Sequence, residues 1–506
     1  MTSSDSFEAP YKGEVVVEQN SYDNNNYDTE TLTHQQQIDL LAEKYNINQS
    51  KLMRKLDLRI IPAICFLYLL AFLDRVNISN ANVYGLSRDL DLKGHQYNTA
   101  LTIFFVPYIL AEIPSNWLMK KLQPHKWLSG CMVLFGVVTL GMGFVKNFGQ
   151  LCACRFLLGL FEAGMFPGCF YLLSMWYRRE EAQKRYSFFF SSTCLAGAFG
   201  GLIASGINNM DGTQGYESWR WIFILEGTAT AAIALLMYFV ISDFPEDAKF
   251  LSENERAFMK EKLAVGSVAS NFERKMTLSD VKFIFSDWKI WLAGFMYFGL
   301  IVPAYGYAYF ATEIVKSLGY SPIQTQFRSV PPWVAAFGFS MAMAVLSDRI
   351  RHKFVLTVVS GLICIIGFIV ILTETENTSV RYGALFMIAS GAYTAMPLIV
   401  CWTNLNFGGT HRRSVATAYQ VAFGNIGGII ATFSYIKTDA PLYKKGLAIG
   451  VGFTGLSMIA CCIYMYGVYR DNQKKRTQEY VDEFHAMSDE KREMAGELEP
   501  SFVYSY

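Results

Sequence analysis

The chain has 506 residues, 52% of them hydrophobic and 17% charged, with a formal net charge of +1. So apolar a composition excludes an ordinary soluble domain, and the near-balance of basic and acidic residues leaves no footprint for nucleic acid. Residues 1–50 are rich in Ser, Asn, Gln and acids, lack an apolar core, and read as a disordered tail and not as a signal peptide.

From Leu58 to Tyr469, apolar runs of about 20 residues recur about twelve times, each long enough to cross a hydrocarbon core of roughly 30 Å. The first six cover 58–78, 97–119, 127–145, 150–176, 187–207 and 219–241. The second six cover 289–312, 327–347, 354–373, 380–402, 414–435 and 446–469. This predicts an all-α membrane protein of twelve spanning helices in two pseudo-symmetric six-helix bundles, 51–241 and 289–470, joined by a polar cytoplasmic loop, 242–288, and followed by a charged, partly helical tail, 471–506.

Basic residues set the expected orientation. Lys120, Lys121 and Lys126 flank the second loop, Arg178, Arg179, Lys184 and Arg185 the fourth, and Arg349, Arg351 and Lys353 the eighth, which places these loops in the cytoplasm. The loop 208–218 has no Lys or Arg, as expected outside, while Lys437, Lys444 and Lys445 run against the pattern. An even number of crossings then puts both termini inside. The ten cysteines, Cys65, Cys131, Cys194, Cys364 and Cys462 among them, fall in predicted helices and read as small apolar packers. Cys152 and Cys154 lie on different helix faces, which disfavours a metal or redox pair.

The chemistry concentrates at Phe72-Leu73-Asp74-Arg75-Val76-Asn77, an acid beside a guanidinium within an apolar helix. Ionisable groups at membrane depth are costly and by default mark an ion or substrate route. At 1.5 Å per residue Asp74 stands about 22 Å from the start of the run near Arg59. The fourth helix runs the opposite way, so Arg155 reaches a similar depth, and Glu162, seven residues on and on the same face, approaches the midplane. Asp74, Arg75, Arg155 and Glu162 are therefore expected to converge between helices one and four and neutralise one another. A substrate carboxylate taking Arg75 bidentately would release an acid to take up a proton, coupling the two occupancies. Arg155, followed by Gly159 and Ala163 at four-residue steps, suits helix packing equally well, and Asp74 or Glu162 can be read as simple ion-pair partners.

The segments Leu73-Asp74-Arg75-Val76-Asn77-Ile78, Glu112-Ile113-Pro114-Ser115-Asn116, Arg155 to Gly164, Met165-Phe166-Pro167-Gly168, Trp176 to Glu180, Trp219 to Gly227 and Asp243 to Asp247 resemble the anion:cation symporter family of the major facilitator superfamily. The resemblance runs from about residue 50 to about residue 475 and is strongest to the fungal allantoate and nicotinate permease branch. It implies a plasma-membrane importer that carries a small organic anion with protons, works as a monomer in the lipid bilayer and needs no cofactor beyond the coupling proton. Nicotinate is the leading substrate, with allantoate, other vitamins and sulfonates behind it.

In proton-coupled sugar-acid relatives the position matching Arg75 holds the substrate carboxylate, those matching Asp74 and Glu162 carry protons, and Asn425 on helix eleven matches a polar substrate contact. Arg155 belongs to the same charged set. Phe72 stands where such relatives often have Tyr, which favours a flatter, more apolar anion. Leu346-Ser347-Asp348-Arg349, followed by Arg351 and Lys353, resembles the superfamily's cytoplasmic gate and implies gating roles for Asp348 and Arg349, whereas Lys120 replaces the expected Asp in the first half.

Gly197-Ala198-Phe199-Gly200-Gly201 resembles the helix-five motif of drug/proton antiporters without its proline, which leaves an exporter as one alternative and a non-transporting nutrient receptor as another. Tyr297, Tyr305, Tyr307 and Tyr309 on helix seven line the cavity or form an interfacial belt. No nucleophile–base pair or metal set suggests an enzyme.

Overall fold

The computed structural model describes residues 34–265, 278–350, 352–408, 410–487, 496–500 and 502–506. Twelve long helices follow the apolar runs: α1 Gln49–Val83, α2 Gln96–Leu122, α3 Pro124–Met142, α4 in two pieces Phe148–Glu162 and Met165–Trp176, α5 Arg179–Ile207 and α6 Ser218–Val240. The second half contributes α7 Trp288–Ser317, α8 Pro322–Ile350, α9 Lys353–Thr373, α10 Thr378–Asn406, α11 Thr410–Ser434 and α12 Lys444–Lys474. Among the described residues, ten spans are long and apolar enough to cross a membrane by length and composition. Helices α2 and α11 carry buried polar side chains, Asn98, Glu112 and Ser115 on α2 and Gln420 and Asn425 on α11.

Several helices run on through an internal proline, at Pro62 in α1, Pro303 in α7 and Pro397 in α10, each of which lacks one backbone hydrogen-bond donor. In α4 the break falls directly after Glu162: Pro167 has no N–H for the carbonyl of Ala163, and the ladder resumes at Met165.

The two halves meet in two places that bear on the site. At the end where α1 finishes, Ser79 Oγ donates to Tyr309 O at 2.7 Å, Asn82 Nδ2 to Glu313 Oε1 at 2.7 Å, and Asn98 Nδ2 to Thr432 O at 2.6 Å. Nearer the middle, Ser191 Oγ donates to Ser340 Oγ at 3.1 Å where α5 packs along α8.

The other end carries the tails. The N-terminal tail, expected to be disordered to residue 50, is helical over His34–Lys44, because Ile38 and Ala42 recur at helical spacing and are buried. It packs on the helix Glu253–Ala264 of the central segment, where Lys44 Nζ meets Glu261 Oε1 at 3.0 Å and Tyr45 donates to the same oxygen at 2.5 Å. After α12, a helix Gln478–His485 is followed by a docked strap, described from Gly496 to the last residue apart from 501. Glu497 is fully buried against Arg412, Trp402 Nε1 donates to Ser505 O at 2.9 Å, and Asn472 Nδ2 donates to Tyr504 O at 3.0 Å.

Candidate substrate site

Helix α1 is unusual in its last third, where Asp74, Arg75, Asn77, Ser79 and Asn80 are all buried. Consecutive residues on a helix point about 100° apart, so Asp74 and Arg75 serve different neighbours. Arg75 lies 1% exposed on the wall of a narrow central cavity, together with Phe72 and Tyr68 of α1, Tyr297 and Tyr305 of α7, and Asn425 of α11. Tyr108 of α2, Phe166 of α4 and Tyr393 of α10 complete an aromatic surround. The guanidinium carbon sits 5.8 Å from the Phe72 ring, 5.2 Å from Phe104 and 5.1 Å from Tyr108, within cation–π range.

Arg75 is held from both halves. Its Nε donates to Glu162 Oε1 at 2.9 Å, Nη2 donates to the same oxygen, and Nη1 donates to the hydroxyl of Tyr305. The second carboxylate oxygen of Glu162 has no hydrogen-bond partner among the described residues. A buried guanidinium–carboxylate pair tolerates exchange of one acceptor for another, whereas losing an acceptor outright is strongly destabilising.

The segment Arg155 to Gly164 shows why this geometry arises. Gly159 lies against α2 so closely that a Cβ there would run into the Phe104 carbonyl, and at Gly164 it would meet Ser115 Oγ and the Trp127 indole. With the helices this near, Arg155 reaches past Gly159 and donates to Ala100 O at 3.3 Å and Arg75 O at 3.2 Å. It therefore holds the main chains of α1 and α2.

The four charges expected to converge are thus divided. Arg75 and Glu162 pair; Arg155 serves carbonyls and does not pair with Asp74; and Asp74 faces Glu226 and Thr230 of α6 and Thr139 of α3. Asp74 is fully buried and does not line the cavity. Phe72, Arg75 and Asn425 do share the cavity wall. All four tyrosines of α7 are buried: Tyr297 and Tyr305 line the cavity, Tyr309 stacks on Tyr305 at 5.8 Å, and Tyr307 packs edge-on against Trp333 at 5.0 Å. Of the gate residues, Arg349 is exposed at the tail-bearing end of α8, while the side chains of Asp348, Arg351 and Lys120 lie outside the described residues.

Two buried acids escaped sequence reasoning. Glu112 on α2 and Glu226 on α6 each sit inside a quoted motif and at membrane depth, a signal sufficient to single them out. Neither oxygen of Glu112 has a hydrogen-bond partner among the described residues, although Asn425 and Arg75 are its neighbours.

Residues 64–432 match the family model of the Major Facilitator Superfamily. The chain belongs to this superfamily. An uncharacterized transporter of Schizosaccharomyces pombe is 35% identical over 431 residues, 85% of each chain. The high-affinity nicotinic acid transporter of Saccharomyces cerevisiae is 31% identical over 460 residues, covering 90% of this chain and 85% of that one. Among solved structures, the proton:xylose symporter XylE superposes with a TM-score of 0.62 at 14% identity over 81% of this chain and 95% of that one. An inward-facing bacterial homolog of the human lysosomal transporter Spinster gives 0.61 at 15% identity, over 80% and 95%. Both confirm the fold alone. The protein is a multi-pass membrane transporter that binds a small molecule within the membrane; it is not an enzyme, and its superfamily needs no cofactor.

Proposed function

We propose that this transporter imports a small organic anion together with protons across the plasma membrane, with nicotinate the leading substrate and allantoate next. One observation carries this: a fixed positive charge, Arg75, stands on the wall of an aromatic cavity and is held there by exchangeable acceptors. A planar carboxylate fits the guanidinium fork bidentately while the surrounding rings take its apolar face. The likeness to a nicotinic acid transporter of Saccharomyces cerevisiae points the same way.

In this scheme the substrate carboxylate replaces Glu162 as the acceptor for Arg75, and the released Glu162 takes a proton. Phe72 and Asn425 shape the cavity, Asp74 supplies a second acid, and Arg155 keeps α1, α2 and α4 in register. Parting of the ties at Ser79, Asn82 and Asn98 opens one end, and rocking of the halves closes the other, where Asp348 and Arg349 gate. Both tails then lie in the cytoplasm.

The test is an uptake screen of labelled organic anions in cells lacking their own carriers. Uptake should rise as external pH falls and should collapse with a protonophore. Uptake of neutral solutes only, or uptake indifferent to pH and protonophore, would refute the proposal.

A further inference from the structure

Asp74 and Asn77 stand one turn apart on α1 and face α6, where Glu226 Oε2 accepts a hydrogen bond from Asn77 Nδ2. The Asp74 and Glu226 carboxyls are thereby neighbours, and Glu162 on α4 is the next charge acting on Asp74. Thr230, one turn beyond Glu226, and Thr139 on α3 bring hydroxyls beside Asp74. The enclosure is closed and unsatisfied. Asp74 is 0% and Glu226 6% exposed. Both oxygens of Asp74, Oε1 of Glu226, Oδ1 of Asn77 and the hydroxyls of Thr139 and Thr230 have no hydrogen-bond partner among the described residues.

The guanidinium groups of this region bond elsewhere, Arg75 to Glu162 and Tyr305, and Arg155 through Nε and Nη1 to main-chain carbonyls, its Nη2 having no hydrogen-bond partner among the described residues. Two carboxylates together in such a place, with no cation between them, repel each other in a medium that screens poorly. One proton held by the pair removes that conflict, with the Thr139 and Thr230 hydroxyls beside Asp74 available to the oxygens that stay unprotonated.

We propose that Asp74 and Glu226 form a carboxyl pair that binds a coupling proton outside the substrate cavity, in an oxygen-lined enclosure between α1, α3 and α6. This rests on the symport function above and adds to it a site separate from the Arg75–Glu162 pair. The step is a protonation only: a carboxylate of the pair gains a proton from water on one side of the membrane and releases it to water on the other. Because Asp74 and Arg75 are adjacent on one helix, a twist of α1 that seats Arg75 on an anion also moves Asp74 relative to Glu226, so the two occupancies are linked through the backbone.

The test uses the full chain in lipid nanodiscs. Infrared spectra at neutral pH should show a deuterium-sensitive band of a protonated carboxyl that Asp74→Asn and Glu226→Gln each remove or shift, and that added sodium leaves unchanged. An unaltered band in both variants overturns the proposal, and so does loss of the band on titration with sodium, which would make the occupant a metal cation. In proteoliposomes under a pH gradient of about one unit, worth about 1.36 kcal/mol per proton, Glu226→Gln should lower accumulation roughly tenfold relative to exchange, and Glu226→Asp should restore part of it. If the unmodified protein moves no organic anion, symport fails as a function while the infrared spectra still judge the pair. If Glu226→Gln accumulates anion as well as the unmodified protein, the pair is structural and symport stands.

Discussion

The two halves share a fold but not a chemistry. The N-terminal half buries Asp74, Arg75, Glu112, Arg155, Glu162 and Glu226 within its helices, four acids against two bases. In the C-terminal half the buried Lys and Arg side chains described sit at helix ends, Lys289, Lys353, Arg381 and Arg412 within four residues of a helix start and Lys475 just past the end of α12. What that half offers the cavity is aromatic or neutral: Tyr297, Tyr305, Tyr393, Met396 and Asn425. Pseudo-symmetry therefore places the helices, and asymmetry of charge divides the labour. One half holds the buried charge; the other shapes the cavity and reaches across to Arg75 through a single hydroxyl.

Substitutions on the two sides should accordingly differ in kind as well as size. The largest effect is expected at Arg75→Lys, which keeps the charge but loses the planar fork. Loss of one charge-assisted hydrogen bond costs about 1.5–3 kcal/mol, or roughly ten- to hundredfold in affinity, read as the concentration dependence of uptake. In the unmodified protein, nicotinamide should compete poorly with nicotinate. Normal transport by Arg75→Lys, or equal competition by the neutral amide, would remove charge selection from the N-terminal half.

Next comes Glu162→Gln, whose amide mimics the protonated acid but cannot cycle. Under a pH gradient of about one unit, worth about 1.36 kcal/mol per proton, accumulation should fall roughly tenfold more than exchange does. Undiminished pH-driven accumulation would take Glu162 out of the coupling.

On the other side, Tyr305→Phe removes a hydroxyl that accepts from Arg75. A hydrogen bond to a charged group, taken at the low end of its range, about 1.5 kcal/mol, predicts an apparent affinity changed roughly tenfold with the pH profile of uptake left in place. A shifted pH profile in Tyr305→Phe would mean that coupling is spread over both halves.

The smallest effect on transport belongs to the C-terminal strap. Lys475 Nζ donates to the carbonyls of Glu497, Glu499 at 3.1 Å and Phe502 at 2.7 Å. Burial, with Lys289 nearby, pushes Lys475 down to about 8 from 10.5. A released strap thus binds the additional proton between these values, so docking tightens as pH rises from about 8 toward 10.5 and is weaker below. Limited proteolysis of the tail should follow that course, and Lys475→Met should cleave readily with the pH dependence gone while uptake persists.

How much of this was legible in the sequence depends on length scale. Twelve helices follow from apolar runs because each run alone meets the length a bilayer demands. Depth and opposite helix direction lead to the expectation that four charges converge between α1 and α4, but not that Arg75 pairs with Glu162 alone. Depth does not fix facing, however: adjacent residues on a helix diverge, so Asp74 could not share the cavity with Arg75. Glu112 and Glu226 were legible as acids at membrane depth, but not which neighbouring helix each would face. The docked strap, including Glu497 and Trp402's contact with Ser505, is too short for any periodicity to announce it.

The central claim is that an anion seated on Arg75 brings a proton with it. Its most direct measurement is the lumenal pH of proteoliposomes holding the unmodified protein, followed by a trapped dye when external nicotinate is added with no preset gradient. Acidification of the lumen in step with nicotinate entry, absent in Arg75→Lys, is the predicted result. Entry of nicotinate with unchanged lumenal pH, or with alkalinisation, would contradict it.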